Sequence, residues 1–507
     1  MKNKFYVTTP LYYVNAEPHI GSIYTTVLAD VLASYHRMKG EDVFFLTGTD
    51  EHGQKVQQAA EKNNISPQEH CDKYSKLFRK IWKEIDLRND DFICTTEKRH
   101  KKVVKKILMD LYEKGEIYKG KYEGWYSIAE ELFITQKEYE EGKYREVKKI
   151  SEVNYYFKMS KYQEKLIKHI EENPDFIQPE NRCNEVLGFL KQPLRDLCIS
   201  RPKTRLSWGI ELPFDKDYVT YVWFDALINY ISAIKYSIDE ENFQRYWPAV
   251  HLIGKDILTT HCVYWPTMLM AAGIELPKTI FAHGWWMSEG KKMSKSLGNF
   301  IDLDTVREYF ENVGDNAFKY FLMKNGPLFG DSDFSKERFY RVYNSDLAND
   351  FGNMINRIFK LIDKYFDSKI PQKMNLGKNE KTLQNNSDIL IEDVFSLLEN
   401  FRIDEMLNKI ISYLGSINKY LEDEEPWKIA KSDLDKTGTI LYSALASLRV
   451  AAGLLYPVMP FKMNDFLTVL NNGDKAETLL KWSELKSGTK ISKIKALFPR
   501  FDMKKIS

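Results

Sequence analysis

The sequence contains few cysteines, with five in 507 residues and no two of them in a C-x-x-C pair. A disulfide framework needs more thiols at regular spacing, so the class of disulfide-stabilised secreted domains is excluded. Reduced thiols are typical of the cytoplasm, which is the location we expect. No signal or transit pattern precedes the strand-like segment Phe5–Thr9. A bacterial cytoplasm and an organelle that imports the chain remain open as alternatives.

Net charge is also low, at +2, so composition gives no global signal for a nucleic-acid partner. Two segments are nonetheless basic, Lys98–Lys102 and Lys486–Lys505, the second with seven Lys/Arg against one Asp. Each is either a solvated face or an RNA contact, and the sequence favours neither. The most apolar stretch, Leu441–Phe461, is interrupted by serine, arginine and proline, so we expect a buried helix and no membrane partner.

What the sequence does contain is an alternation of strand and helix patterns. The predicted strands are Phe5–Thr9, Asp42–Leu46, Tyr218–Phe224, His251–Gly254 and Thr279–His283, and the early helices are Ile23–Met38 and Gln54–Asn63. Ser66 followed by Pro67 is typical of a helix start. This alternation predicts βαβ units and therefore a parallel sheet.

The pattern changes twice along the chain. An aromatic and charged segment begins near Tyr118, and from about Tyr340 onward only helical periodicity remains. We therefore expect an α/β Rossmann-like domain that is split by an inserted connective domain and followed by an all-α bundle. The predicted segments are 1–117 and 211–290 for the α/β domain, 118–210 for the insertion, 291–344 for a loop and contact region, and 345–507 for the bundle.

The segment His19-Ile20-Gly21-Ser22 follows the first predicted strand and opens the first helix. A helix N-terminus at the carboxyl end of a strand is suited to anions, and a histidine there donates to phosphate oxygens. Gly21 lacks a Cβ and lets a flat ring approach the backbone. A surface histidine beside an ordinary turn explains the four residues equally well, so the segment is weak on its own.

The segment Lys292-Met293-Ser294-Lys295-Ser296 is more specific. It places two lysines three apart in a stretch that Gly290 and Gly298 bracket. Mobile ammonium groups suit a triphosphate whose charge grows on the leaving pyrophosphate, and glycines permit closure over it. An exposed basic loop is the simpler alternative.

Together the two segments resemble the signature motifs of class I aminoacyl-tRNA synthetases, the second in all five positions. The first departs from the usual H-I-G-H, because Ser22 stands where the second histidine normally lies. The resemblance implies catalysis by His19, Lys292 and Lys295, and ATP that binds together with Mg²⁺. The ATP-binding residues that it implies are His19, Gly21, Ser22, Gly254, Asp256, Lys292, Ser294 and Lys295.

Further segments resemble the methionyl-tRNA synthetase family over nearly the whole chain, including Thr47–Gly53, Tyr221–Ala226 and Ala282–Trp285. The resemblance implies that Asp50 holds the substrate ammonium. It also implies a thioether pocket of Leu11, Tyr13, Trp223, Ala226, Tyr230 and His283. Aromatic walls suit a polarizable thioether, although ordinary core packing explains a single buried aromatic as well.

The insertion lacks the cysteines that many relatives place in a zinc knuckle. Ser127 and Glu130 stand at the positions of the first pair, and no second pair occurs near Lys143–Lys148. Four soft ligands are missing, so we expect no structural zinc and a knuckle stabilised by its aromatic residues.

In the helical region, Asn353, Arg357 and Trp427 resemble the family's anticodon-reading residues. Asn353 and Arg357 are four apart and share a helix face, where they reach base edges while Trp427 stacks on a base. The resemblance therefore implies tRNA(Met) as partner, beside L-methionine. Bundle packing of Trp427 and plain surface charge on Arg357 are the alternatives.

The sequence thus predicts a methionine–tRNA ligase, which we expect to be a monomer. A leucine, isoleucine or valine enzyme is disfavoured, because the roughly 90-residue insertion is too short for an editing domain. A small nucleotidyltransferase and a non-catalytic RNA-binding homologue remain as competitors. Deletion of residues 345–507 is expected to leave methionine adenylation but to abolish tRNA charging, and methionine-dependent ATP–pyrophosphate exchange distinguishes an enzyme from a binding protein.

Overall fold

A computed structural model describes residues 3–127, 132–134, 136–142, 144, 146–288, 290–293, 299–471, 473 and 476–506. Contacts divide the chain into two units. The first unit comprises residues 1–18 and 42–283, and the second comprises 19–41 and 284–507. The predicted domain boundaries stay predictions.

A parallel sheet forms the centre of the first unit. Its strands, in spatial order, are Tyr12–Tyr13, Asp42–Asp50, Lys4–Thr8, Val250–Gly254, Thr279–His283 and Ile177–Gln178, and Asp91–Cys94 also pairs with Asp42–Asp50. All the pairings are parallel, and the central strands are almost wholly buried, as expected for a sheet covered on both faces. The predicted parallel sheet is therefore confirmed. Ile177–Gln178 comes from within the predicted insertion, so residues 118–210 also contribute to the main sheet.

Helices connect and cover these strands. The α-helices of the first unit are Gln54–Lys62, Pro67–Glu84, Lys98–Glu113, Gln136–Glu140, Gln163–Glu172, Glu180–Leu190, Val222–Ala226, Asn229–Ser232, Glu240–Tyr246 and Trp265–Ala272. Short 3₁₀ turns lie at Met159–Tyr162 and Lys255–Ile257, and a π-helical turn lies at Thr260–Tyr264. Ser66 caps its helix as predicted, because its hydroxyl accepts from the Glu69 N–H while the Glu69 carboxylate accepts from the Ser66 N–H.

Two antiparallel sheets make up much of the remainder of this unit. One contains Leu132–Ile134, Ile117–Ser127, Val147–Phe157 and Leu197–Cys198, and the other contains Ser200–Pro202, Asp215–Thr220 and Glu211–Leu212. The strand predicted at Tyr218–Phe224 is wrong beyond Thr220, because Val222–Ala226 is a helix. Its aromatic and β-branched residues favour a strand locally, but four of its five residues are buried, and packing overrides the local preference.

The second unit is mainly helical, as the periodicity from Tyr340 onward predicts. Its α-helices are Ile20–Met38, Leu303–Val313, Asp315–Asn325, Lys336–Val342, Asn353–Phe366, Lys378–Glu399, Ile403–Glu424, Pro426–Ile429, Leu434–Leu455, Pro460–Val469 and Ala476–Leu479. A π-helical segment occupies Tyr343–Gly352, and 3₁₀ turns lie at Trp482–Glu484 and Met503–Ile506. A small sheet joins Lys291–Lys292, Trp286–Ser288 and Ser332–Asp333.

One helix in the described part of the chain, Leu434–Leu455, has the length and apolarity of a membrane span. Its most apolar window is entirely buried inside the protein. The prediction of a buried helix is confirmed for Leu441–Leu455. The chain then leaves the helix, and a new helix begins at Pro460, where proline fits the first turn.

Candidate active site

The first unit brings the predicted ammonium ligand next to the aromatic residues of the predicted methionine pocket. Tyr13 and Asp50 are paired in register on adjacent parallel strands, and Asp50 is only 2% exposed. Leu11 lies over Gly48, where a Cβ would come within 2.0 Å of the Ile93 carbonyl oxygen. Only glycine fits at position 48, and this close approach lets the strand ends converge.

Trp223 and Ala226 enter the same group from the short helix Val222–Ala226. The Trp223 ring meets Tyr13 edge-on, with centroids 6.3 Å apart and an interplanar angle of 87°. Trp223 and Tyr13 are half-buried, whereas Ala226 and Tyr230 are buried. The predicted pocket residues therefore include two buried side chains, Ala226 and Tyr230, and two aromatic rings, Tyr13 and Trp223, that still reach solvent.

Tyr230 is hydrogen-bonded to a histidine that the sequence reasoning did not single out. The Tyr230 hydroxyl lies 2.7 Å from His261 Nε2, and His261 Nδ1 lies 3.0 Å from the Ile257 carbonyl oxygen. A carbonyl oxygen only accepts, so Nδ1 carries the proton and Nε2 accepts from the tyrosine. Burial lowers the pKa of His261 to about 4 and raises the pKa of Tyr230, so both are neutral at pH 7.

A second histidine, His251, packs against the ring of Tyr230. Trp265 donates to His251 Nε2 at 3.1 Å, so His251 Nδ1 donates to the Thr8 hydroxyl at 2.7 Å. The His251 and Tyr230 rings lie 4.2 Å apart, and burial holds the pKa of His251 well below its usual range. The histidine rings around Tyr230 thus have fixed tautomers and no charge.

His283 lies at the end of the strand Thr279–His283, in register with Gly254. Its Cε1 atom would be 3.8 Å from a Cβ at Gly254, and Asp256 Oδ1 would be 2.6 Å from the same position. The small residue at 254 therefore lets the Asp256 carboxylate approach the strand end. His283 is thus a direct neighbour of Gly254 and Asp256, two of the predicted ATP-binding residues.

In the second unit, His19 is the N-cap of the helix Ile20–Met38. Its Nδ1 accepts from the Gly21 N–H at 3.1 Å, which leaves the proton of the neutral ring on Nε2, where it can be donated. The Ser22 hydroxyl donates to the His19 carbonyl and accepts from the His19 N–H, both at 2.9 Å. Ser22 therefore completes a capping box and stabilises the turn that presents His19.

Lys292 belongs to the short strand Lys291–Lys292 rather than to a loop. It is exposed, and its ammonium lies 3.8 Å from the centroid of the Trp285 ring. This cation–π contact holds the charge at the surface of the hairpin. Ser294 and Lys295 lie outside the described residues.

The helical part of the second unit brings Arg357 and Trp427 together. The Arg357 guanidinium lies 4.8 Å from the centroid of the Trp427 ring and donates to Asn418 Oδ1 at 2.7 Å. Asn353 is exposed one turn earlier on the same helix, and Trp427 is half-buried. A flat cation and an indole, both accessible, suit unstacked bases.

The knuckle region contains the aromatic contact that the sequence suggests. Trp125 and Tyr139 stack with centroids 3.7 Å apart, and Trp125 Nε1 donates to Gln136 Oε1 at 2.6 Å. Within the described residues, no group of three His, Cys, Asp or Glu is placed to hold a metal ion. Glu130 lies outside those residues, and the absence of zinc stays a prediction.

These features define a class of protein. Residues 5–149 and 141–359 match the family described as class I tRNA synthetases (M), and residues 370–506 match the anticodon-binding domain of methionyl-tRNA ligase. A doubly wound sheet with a polar group at its strand ends, together with a helical region, is the architecture expected of that class.

Relatives make the assignment specific. The chain is 43% identical to the methionine–tRNA ligase of Thermotoga maritima over 99% of its own length and 81% of the relative's. It is 42% identical to that of Rickettsia conorii, over 99% and 100%. A Mycobacterium tuberculosis methionyl-tRNA synthetase solved with methionyl-adenylate has a TM-score of 0.92 at 37% identity, covering 99% of this chain and 100% of that one. The chain belongs to the methionyl-tRNA synthetase family.

Proposed function

We propose that the chain activates L-methionine with ATP and transfers it to tRNA(Met). In the first step a methionine carboxylate oxygen attacks the α-phosphorus of ATP, and pyrophosphate leaves. In the second step a hydroxyl of the terminal ribose of tRNA attacks the carbonyl carbon, loses its proton, and AMP leaves. The observation that carries this proposal is the group formed by Asp50, Tyr13 and Trp223 at the strand ends.

Methionine recognition uses one charge and several rings. Asp50 binds the ammonium, and the thioether lies among Leu11, Tyr13, Trp223, Ala226, Tyr230 and His283. His261 joins this set, because it fixes the Tyr230 hydroxyl at 2.7 Å. A neutral pocket is favourable for a thioether, which is polarizable and only a weak hydrogen-bond acceptor.

ATP binds to residues of the two motifs and to the segment at Gly254. Asp256 beside Gly254 accepts from the ribose hydroxyls. The motif residues that bind the nucleotide are His19, Gly21, Ser22, Lys292, Ser294 and Lys295, of which His19, Lys292 and Lys295 stabilise the charge that develops on the phosphates. Mg²⁺ enters with ATP, because it prefers phosphate oxygens and water to an all-protein cage.

The tRNA partner is read by Asn353, Arg357 and Trp427. Support comes from the Arg357–Trp427 contact, which presents a cation and an aromatic face together. We further propose that the chain acts in the cytoplasm as a monomer, with no membrane partner.

The test is an ATP–pyrophosphate exchange assay that is run separately with each standard amino acid. Wild-type protein should exchange with methionine and not with leucine, isoleucine or valine. Lys295→Ala should lower exchange by about two to three orders of magnitude while methionine binding persists, since the lost charge acts on the transition state. Lys291→Ala, which changes an exposed lysine four positions earlier in the sequence, is the matched control and should change little. Full exchange by Lys295→Ala would refute the role of this segment.

A further inference from the structure

A buried carboxylate lies beneath the proposed methionine pocket. Asp225 is 0% exposed, its Oδ2 lies 2.6 Å from His52 Nδ1, and its Oδ1 lies 2.7 Å from His100 Nε2. The other ring nitrogen of His100 lies 2.8 Å from the Ser232 hydroxyl. Asp225 therefore accepts from two buried histidine N–H groups at once, and each histidine has one fixed orientation.

The partners of Asp225 belong to the segments that carry the pocket. His52 follows Asp50 by two residues, in the turn that ends at Gly53, whose φ of 110° favours glycine. Asp225 itself lies between Trp223 and Ala226 on one short helix. One carboxylate thus connects the turn of the ammonium ligand to the helix of the aromatic wall.

The second histidine extends the connection. His100 lies on the helix Lys98–Glu113, and Ser232 ends the short helix that begins at Asn229 and contains Tyr230. Three segments that contribute Asp50, Trp223 and Tyr230 are therefore tied together by hydrogen bonds to Asp225 and His100. None of the four linking side chains belongs to the proposed substrate-contacting set.

Stability alone is a poor explanation for this arrangement. A buried ionised group costs several kcal/mol of desolvation, and well-packed apolar residues often replace buried ionic groups without loss of stability. The hydrogen bonds that Asp225 accepts instead set distances and angles, which packing alone sets less strictly.

We propose that Asp225 is a positioning residue for methionine, which fixes the Asp50 carboxylate relative to the Trp223 ring through His52. It does not contact substrate. The inference rests on the proposed roles of Asp50 and Trp223 in methionine binding, and it adds Asp225, His52 and His100 to the residues that determine methionine affinity.

The test begins with Asp225→Asn, which preserves the size of the side chain. An amide offers only one accepting oxygen, so one histidine loses its acceptor. In the exchange assay we expect the KM for methionine to rise about 10- to 100-fold, since a misplacement of about 1 Å has effects of this size. The KM for ATP, and kcat at saturating methionine, should stay within about threefold of wild type.

His52 provides a graded pair of variants. His52→Asn keeps an N–H donor close to the place of Nδ1, whereas His52→Ala removes it. Methionine KM should therefore be largely preserved in His52→Asn and raised in His52→Ala. Equal effects of the two would show that only the volume of the histidine matters, and would overturn the proposal.

A buried carboxylate elsewhere in the same unit is the control. Glu116 is 7% exposed and pairs with Lys161, outside the pocket. Glu116→Gln should lower the thermal midpoint without changing the KM for methionine. If Asp225→Asn is folded by circular dichroism and its methionine KM stays within twofold of wild type, the proposal fails. A parallel rise in the KM for methionine and ATP would also defeat it.

Failure of the proposed function gives a different result. If the wild-type protein shows no methionine-dependent exchange, the enzymatic assignment itself is wrong. If wild-type exchange is normal and the KM for methionine of Asp225→Asn equals that of wild type, the positioning role is refuted and the proposed function stands.

Discussion

Aromatic residues are used in opposite ways in the proposed methionine pocket and in the proposed anticodon cluster of Asn353, Arg357 and Trp427. In the pocket, Tyr230 is 1% exposed, and its hydroxyl is held by a histidine that burial keeps neutral. In the cluster, Trp427 and Arg357 are only partly buried, and the guanidinium lies 4.8 Å from the centroid of the indole ring. A small apolar substrate is bound in a site from which water is excluded, whereas RNA bases bind to side chains that remain accessible to solvent.

The comparison predicts that substitutions in one region leave the other region's activity intact. Deletion of residues 345–507 is not a clean way to test this. Within the second unit, the Tyr35 hydroxyl donates to the Leu454 carbonyl, and Lys39 pairs with Glu399 at 2.6 Å. The deletion would therefore remove packing partners of the helix that begins after His19. Point substitutions separate the two activities without that damage.

The largest effect is expected from Asp50→Asn. The variant leaves the substrate ammonium without its charged partner in a site where Asp50 is 2% exposed. Truncating one partner of a buried charge pair costs about 2 to 5 kcal/mol, so kcat/KM for methionine should fall about 30- to several-thousand-fold. Filter-binding affinity for tRNA(Met) should stay unchanged. A comparable loss of tRNA affinity would contradict the separation of the two regions.

Trp427→Ala should give the reverse pattern. Stacking of one base on an aromatic ring contributes about 1 to 3 kcal/mol, so kcat/KM for tRNA should fall roughly 5- to 150-fold. Methionine-dependent exchange without tRNA should equal that of wild type. Lys428→Ala changes the next, exposed side chain and serves as the control. Loss of exchange in Trp427→Ala would mean that the indole acts through the fold rather than on RNA.

The contribution of Asp225 to folding stability should depend on pH. Burial raises the pKa of Asp225, but the charge of His52 and the hydrogen bonds of both histidines outweigh it, and the pKa falls from 3.8 to about 2. A lowered folded-state pKa stabilises the fold above about pH 4, and the contribution is lost as pH falls towards 2. It amounts to about 2 kcal/mol.

Urea unfolding of wild type and Asp225→Asn at several pH values measures this contribution. The stability difference between the two proteins should narrow as pH falls from 4 towards 2. A difference independent of pH over that range would show that folding does not lower the pKa of Asp225.

The sequence predicts the layers of the fold well and the site only in part. Strands such as His251–Gly254 and Thr279–His283 are short apolar runs, and that signal is local, so both predictions are confirmed. The helix Val222–Ala226 was missed because burial, which no local pattern records, overrides its strand preference. Asp50 and Trp223 are predicted only through the resemblance of their segments to the family. Nothing in the sequence indicated that Tyr230 and His261, 31 residues apart, share a hydrogen bond.

Loss of the hydrogen bond between Tyr230 and His261 should have the smallest effect among the substitutions in the proposed pocket. Tyr230→Phe keeps the ring and removes the hydroxyl, so His261 Nε2 loses its donor at 2.7 Å. An unsatisfied buried acceptor costs about 1 to 3 kcal/mol of folding stability, part of which a bound water recovers. Because the Tyr230 ring is then held less strictly, we expect the KM for methionine to rise about tenfold. If Tyr230→Phe lowered kcat/KM for methionine as much as Asp50→Asn, methionine binding would depend on the hydroxyl as much as on the charge. The proposed contrast with the anticodon cluster would then be wrong.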